Sequence, residues 1–112
     1  MISEENLVTG LKIAACVCGK DGIISQAEED MMFKLVSDKY DEFSLNDFDS
    51  IIDDFFDSEK QIEDYLLEIT DYETRQFILE LSAVSASADG LDIRENIALN
   101  KIATLWGINL NE

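Results

Sequence analysis

Two stretches decide the fold, "AACVCGKDG" at residues 14–22 and "SAVSASADG" at residues 82–90, because they are two copies of one pattern. In each copy, small residues end a helical segment and an Asp-Gly pair follows. Asp-Gly is a turn dipeptide, in which Gly adopts a positive φ and Asp hydrogen-bonds the backbone two residues on. The sequence therefore predicts a helix that ends in a tight loop at both places.

A second helix begins after each loop. Ser25-x-x-Glu28 and Asp92-x-x-Glu95 both have the spacing of a capping box, in which the first side chain accepts from the N3 amide and the Glu reaches back. The unit of helix, Asp-Gly loop and capped helix thus occurs twice. Because small side chains let two backbones approach closely, we expect the two leading helices to pack against each other at the centre of a pseudo-symmetric bundle.

The other apolar residues also recur with the period of an α-helix. No proline interrupts the chain, and no segment alternates as a strand does. The predicted stripes are Leu7, Leu11, Ala14 and Cys18; Ile24, Met31, Met32, Leu35 and Val36; Leu45, Phe48, Ile52 and Phe55; Ile62, Tyr65, Leu66 and Ile69; Phe77, Ile78, Leu81 and Val84; and Ile97, Ile102, Leu105 and Trp106. The sequence predicts an all-α, single-domain helical bundle of about six to seven helices with an internal pseudo-repeat.

Capping residues divide residues 1–112 into three parts of this one domain. Repeat one covers about 3–40, an acidic helical pair about 44–70, and repeat two about 71–107. The third helix is predicted to begin at Ser44 or Asn46, the fourth at Ser58 and the fifth at Asp71, while Gly107 fits the position just past the last helix.

The charge of the chain restricts its partners. Eight Lys and Arg against 25 Asp and Glu give a net charge of −17, and such a surface repels nucleic acids and anionic membranes. The first residues are acidic, unlike a signal peptide, and the longest apolar run, residues 13–18, is too short to cross a bilayer. We expect a cytoplasmic protein without membrane insertion, whose partners are cations or basic protein surfaces.

The two cysteines, Cys16 and Cys18, are two positions apart on a predicted helix, so they point to different faces and do not readily bond to each other. A zinc site needs about four ligands, and the chain has no histidine. Both cysteines are therefore predicted to be small buried apolar side chains in a reducing compartment.

The Asp-Gly loops do not have the ligands of an EF-hand. With Gly22 at position six of that motif, Val17 and Gly19 fall at positions one and three and offer no side-chain oxygen. With Gly90 at position six, Asn96 replaces the Glu of position twelve. Turns and helix caps account for all the residues of both loops without a metal.

The paired motifs resemble those of the TerB-like domain, the small helical module of tellurite-resistance protein TerB that is also similar to the N-terminal domain of DjlA co-chaperones. The resemblance covers nearly the whole chain. It implies a helical fold with an internal duplication, an acidic surface that binds divalent metal, and no established catalysis. The loop acids that correspond by position are Asp21 with Glu28 and Asp89 with Glu95, with Ser25 and Asp92 as helix caps or secondary ligands.

Acidic residues are concentrated in the middle of the chain. Asp49, Asp53 and Asp57 follow i, i+4 spacing, and Asp54 lies beside them, opposite an apolar stripe. Such a run is ordinarily a solvated helix face. The alternatives are a docking surface for a basic protein partner and a diffuse site for Mg²⁺ or Ca²⁺, which prefer carboxylate oxygens.

Catalysis is the weakest of the function classes, since the chain has no histidine base, no nucleophile with an activating partner and no glycine-rich phosphate loop. The leading hypothesis is a non-catalytic TerB-like module that binds a divalent cation (Ca²⁺, Mg²⁺ or another) and serves as a stress-response accessory protein of the tellurite-resistance type. The alternative is a metal-independent interaction or co-chaperone-like adaptor domain that uses its acidic helices.

Overall fold

The computed structural model describes residues 2–19, 24–88, 90 and 93–108, with only the backbone of Arg94. These residues form six α-helices and no strand, so the predicted all-α bundle is confirmed. The helices are α1 (Glu4–Cys18), α2 (Gln26–Lys39), α3 (Leu45–Asp57), α4 (Ile62–Leu66), α5 (Tyr72–Ala86) and α6 (Ile93–Trp106).

The pseudo-repeat is visible in the lengths of the helices: α1 and α5 each have 15 residues, and α2 and α6 each have 14. The contact between α1 and α5 is the most extensive between any two helices, which confirms the expected packing of the two leading helices. A Cβ atom at Gly10 would lie 2.9 Å from Cγ1 of the buried Ile78. The absence of a side chain at Gly10 therefore permits this close approach.

The hydrophobic core surrounds this central pair. The α2 helix packs mainly on α5, the α3 and α4 helices on α1, and α6 on both central helices. The core residues least exposed to solvent and largest in volume are Phe48, Leu11, Ile13, Met32, Ile69, Ile78, Leu81 and Ile102.

Most of the predicted helix boundaries are confirmed. Ser25, Ser44 and Asp71 are the N-caps of α2, α3 and α5, and each side chain accepts from the amide three residues on. Gly107 follows α6 with φ of +68°. The prediction that Ser58 starts the fourth helix is wrong, because Ser58 ends α3 and the N-cap of α4 is Gln61.

Four apolar residues that were predicted to face the core are exposed. Ile97 is 61% exposed and Leu105 57%, although both lie in α6, Leu45 at the start of α3 is 58% exposed, and Val84 in α5 is 38% exposed. The covered face of α6 is instead formed by Ala98, Leu99, Ile102, Ala103 and Trp106. The helical period was right, but the contacts of α6 with α5 and α1 select a face slightly rotated from the predicted one.

The helices give no evidence of a membrane span. Within the described part of the chain, none combines the length and the apolar character that crossing a bilayer requires.

Candidate functional site

The two halves of the pseudo-repeat meet where α2 and α6 begin. Glu28 is the third residue of α2, and Glu95 is the third residue of α6, so the two glutamates occupy equivalent positions in the repeat. Both are in the first turn of a helix, where the exposed amide groups and the helix dipole favour a negative charge. Both side chains are also buried, with exposed fractions of 4% and 5%.

The capping box of α2 fixes the orientation of Glu28. Its Oε1 accepts from the backbone N–H of Ser25 at 2.9 Å, while Oγ of Ser25 accepts from the backbone N–H of Glu28 at 3.1 Å. These reciprocal bonds confirm the predicted capping role of Ser25. One carboxylate oxygen of Glu28 is thus held by the backbone.

A third ligand-type side chain lies with the two glutamates. Cys18 is the last residue of α1 and is 4% exposed. One potential ligand atom from each of Cys18, Glu28 and Glu95 lies within 4.8 Å of the other two. We call these three residues the convergent cluster. They come from three different helices, so only the folded chain brings them together.

Two carboxylates buried at this separation repel each other when both are ionised, and burial removes the water that would otherwise screen them. A bound cation relieves the repulsion. Negative charge also surrounds the start of α2: burial, followed by the charges of Asp49 and Asp30, raises the pKa of the Glu29 carboxyl above its usual value. The electrostatics of this region therefore favour a positive ligand.

The predicted metal ligands divide into two groups. The structure brings Glu28 and Glu95 together, while Asp21, Asp89 and Asp92 lie outside the described residues. The sequence pattern does not place Cys18 with the glutamates, because it predicts that both cysteines are small buried apolar side chains. One feature of the sequence could have indicated a role for Cys18. It lies just before the first Asp-Gly loop, whereas the equivalent position of the second copy is occupied by Ala86.

The acidic residues of the middle segment form a separate surface on α3. Asp49, Asp53, Asp54 and Asp57 are all exposed, and we call them the acidic face. At the C-terminal end of α3 lies a groove of about 340 Å³, lined by Cys16, Gly19, Phe55, Phe56, Ser58, Lys60, Gln61 and Ile62. Acidic side chains thus lie on the same helix as a groove that is lined by both apolar and polar side chains.

Comparisons with protein-family models, with curated proteins and with solved structures find no match for this chain. Its function is therefore inferred from the convergent cluster and the acidic face.

Proposed function

We propose that this chain is a non-catalytic TerB-like module that binds a divalent cation between the first turns of α2 and α6. The observation that carries the proposal is the convergence of Glu28 and Glu95, two buried carboxylates from equivalent positions of the repeat.

A cation at this place has both a chemical and a structural role. It neutralises carboxylates that would otherwise repel each other, and it links α2 and α6 at the end of α1. Because the ligands come from different helices, binding favours the folded state over the unfolded state, in which they are far apart. Such a module is suited to work as an accessory protein in a cytoplasmic stress response of the tellurite-resistance type.

The proposal is tested by locating the bound cation. We expect that Ca²⁺, Mg²⁺, Mn²⁺ or Zn²⁺, titrated separately into ¹⁵N-labelled protein, perturbs amides at residues 24–29 and 93–97 in a saturable way. The first turns of both helices should respond at the same cation concentration, because one ion contacts both. The measurement is a series of two-dimensional NMR spectra, with Mn²⁺ detected by line broadening.

Two results would contradict this proposal. One is the absence of saturable perturbation with any of the four cations. The other is perturbation confined to the acidic face, which would indicate diffuse binding to α3 instead of binding in the convergent cluster.

A second function, docking to a basic protein partner, is favoured by the exposure of all four residues of the acidic face and by the adjacent groove. Capture of a basic probe, immobilised poly-lysine, should then be weakened by Asp→Asn changes at Asp49, Asp53 and Asp54 and should persist in EDTA. The control has the same net charge and carries Asp→Asn changes at three exposed positions elsewhere, Asp30, Asp38 and Asp41. Equal capture by the two triple variants would show that only net charge matters and would remove the case for a defined docking face.

A further inference from the structure

The convergent cluster contains a sulfur atom, and sulfur distinguishes between classes of metal. We propose that the cation held by Cys18, Glu28 and Glu95 is a thiophilic d-block ion of the Zn²⁺ class, with Sγ of Cys18 as a direct ligand. This inference rests on the proposed function, because it specifies which cation the cluster selects.

The position of Cys18 is fixed by the end of α1. Gly19 is the C-cap of this helix, and its backbone N–H donates to the carbonyl of Ala15 at 2.8 Å. A Cβ atom at Gly19 would lie 2.9 Å from that same carbonyl oxygen, so the chain turns at this point without room for a side chain. The end of α1 is thus well defined, and it places Sγ of Cys18 within 4.8 Å of a carboxylate oxygen from the first turn of α2 and of one from the first turn of α6.

The number and type of the ligands disfavour Ca²⁺ and Mg²⁺. Ca²⁺ takes about six to eight oxygen ligands, and Mg²⁺ requires about six in a near-ideal octahedron. Among the described residues, the cluster offers two carboxylates and a thiol, and one oxygen of Glu28 is already engaged by Ser25. With these ligands alone, either ion would need several water molecules to complete its coordination.

The same ligands suit Zn²⁺. This ion accepts thiolate and carboxylate ligands in four-coordinate sites, and three protein ligands with an open fourth position are common. Because the chain has no histidine, the carboxylates of Glu28 and Glu95 would supply the ligands that histidine provides in many zinc sites. A tetrahedral Zn²⁺ with its usual bond lengths holds its ligand atoms roughly 3.5 Å apart, so ligand atoms that lie within 4.8 Å of one another need only a small inward movement.

Coordination deprotonates the thiol. The proton of Sγ is released to solvent as the metal–sulfur bond forms, and no electron is transferred. The resulting thiolate is a soft ligand, which raises selectivity for Zn²⁺, Co²⁺ or Cd²⁺ over the hard cations that carboxylates alone attract. The thiolate of Cys18 is therefore the ligand that makes the site selective for these metals, because the carboxylates alone would bind hard cations as well.

Co²⁺ and Cd²⁺ are suitable probes, because a thiolate ligand gives each of them a charge-transfer absorption band that oxygen ligands do not. We expect both ions to produce this band with the full chain, and Zn²⁺ but not excess Ca²⁺ to abolish it. Loss of a residue that only hydrogen-bonds a metal ligand costs roughly 10–100-fold in metal affinity. Cys18→Ser removes a direct ligand, so it should weaken Zn²⁺ binding by about 100-fold or more.

Cys16→Ser is the matched control. Cys16 lies two residues before Cys18 on the same helix and is half-buried, so this variant should keep both the band and the affinity. Circular dichroism establishes that each variant is folded. X-ray absorption of the Zn²⁺-loaded natural sequence needs no variant and should detect one sulfur at about 2.3 Å from the metal.

The outcomes separate this inference from the function on which it rests. Binding of cations without a charge-transfer band, with equal affinity in Cys18→Ser, would overturn the role of Cys18 and leave cation binding by the glutamates intact. A band lost in Cys16→Ser and kept in Cys18→Ser would also overturn it. No binding of any cation would overturn both.

Discussion

A saturating cation should raise the melting temperature of this protein by roughly 10–15 °C, and the double variant Glu28→Gln/Glu95→Gln should lose nearly all of that increase. A ligand at about 100 times its Kd stabilises the folded state by about 2.7 kcal/mol. In a domain of this size, each kcal/mol shifts the melting temperature by roughly 4–6 °C. The measurement is thermal unfolding followed by circular dichroism, with and without the cation.

The two Gln substitutions are conservative in shape. At position 28 the amide oxygen can still accept from the Ser25 N–H, so the capping box of α2 keeps that bond. In EDTA the double variant should therefore melt close to the temperature of the natural sequence, because the removal of two like charges offsets the loss of negative charge from the first turns of two helices. That result also establishes that the variant folds.

A matched control removes the same charge elsewhere. Glu42 and Glu80 are exposed, so Glu42→Gln/Glu80→Gln should keep the full cation-dependent increase. Equal increases in all three proteins would show that the cation binds diffusely to the negative surface, and the convergent cluster would then have no special role.

Phe48→Ala should lower the free energy of unfolding by about 3–5 kcal/mol, the usual cost of removing a buried phenylalanine ring. Phe48 is 1% exposed, and its ring meets that of Phe33 edge-on at 5.9 Å. It is the most deeply buried residue of α3, so its loss removes the main attachment of the helix that carries the acidic face. Small domains are stable by only about 5–15 kcal/mol, so a large part of the total free energy of unfolding would be lost. Urea unfolding measures this loss.

Phe56→Ala provides the comparison for this prediction, because it makes the same chemical change on the same helix. Phe56 is 51% exposed and contacts Phe55 with a centroid distance of 5.3 Å. We expect a loss of about 1 kcal/mol or less, the usual worth of one aromatic pair. Similar losses for the two variants would mean that α3 does not depend on Phe48 for its attachment to the core.

The first turn of α2 and the acidic face are close enough for their charges to influence each other. Glu29 follows Glu28 in α2, and the charge of Asp49 on α3 contributes to raising the pKa of the Glu29 carboxyl. A cation bound by Glu28 would partly neutralise the field in which Asp49 also lies. Cation binding and docking of a basic partner are therefore expected to compete weakly through charge, even though their residues differ.

Part of the candidate site was predictable from the sequence, and part was not. The capping boxes identified Glu28 and Glu95 because a helix start depends on residues only three positions apart. Cys18 was predicted to be a core residue. The neighbouring sequence of a cysteine at the end of an apolar helix is the same whether its side chain contacts apolar side chains or carboxylates. Its neighbours come from residues 10 and 77 positions further along the chain, and no local pattern contains them.

The sequence by itself determined the all-α class, the repeated helix–loop–helix unit and the start of most helices, because these depend on periodicity, small residues and caps within a few positions. Tertiary structure decided which face of α6 is covered, leaving Ile97 and Leu105 exposed, and it decided that Cys18, Glu28 and Glu95 share one buried place. The physical reason is that burial depends on how whole helices pack. The close contact at Gly10 sets α1 against α5, and the convergence of the three side chains follows from the packing around that pair.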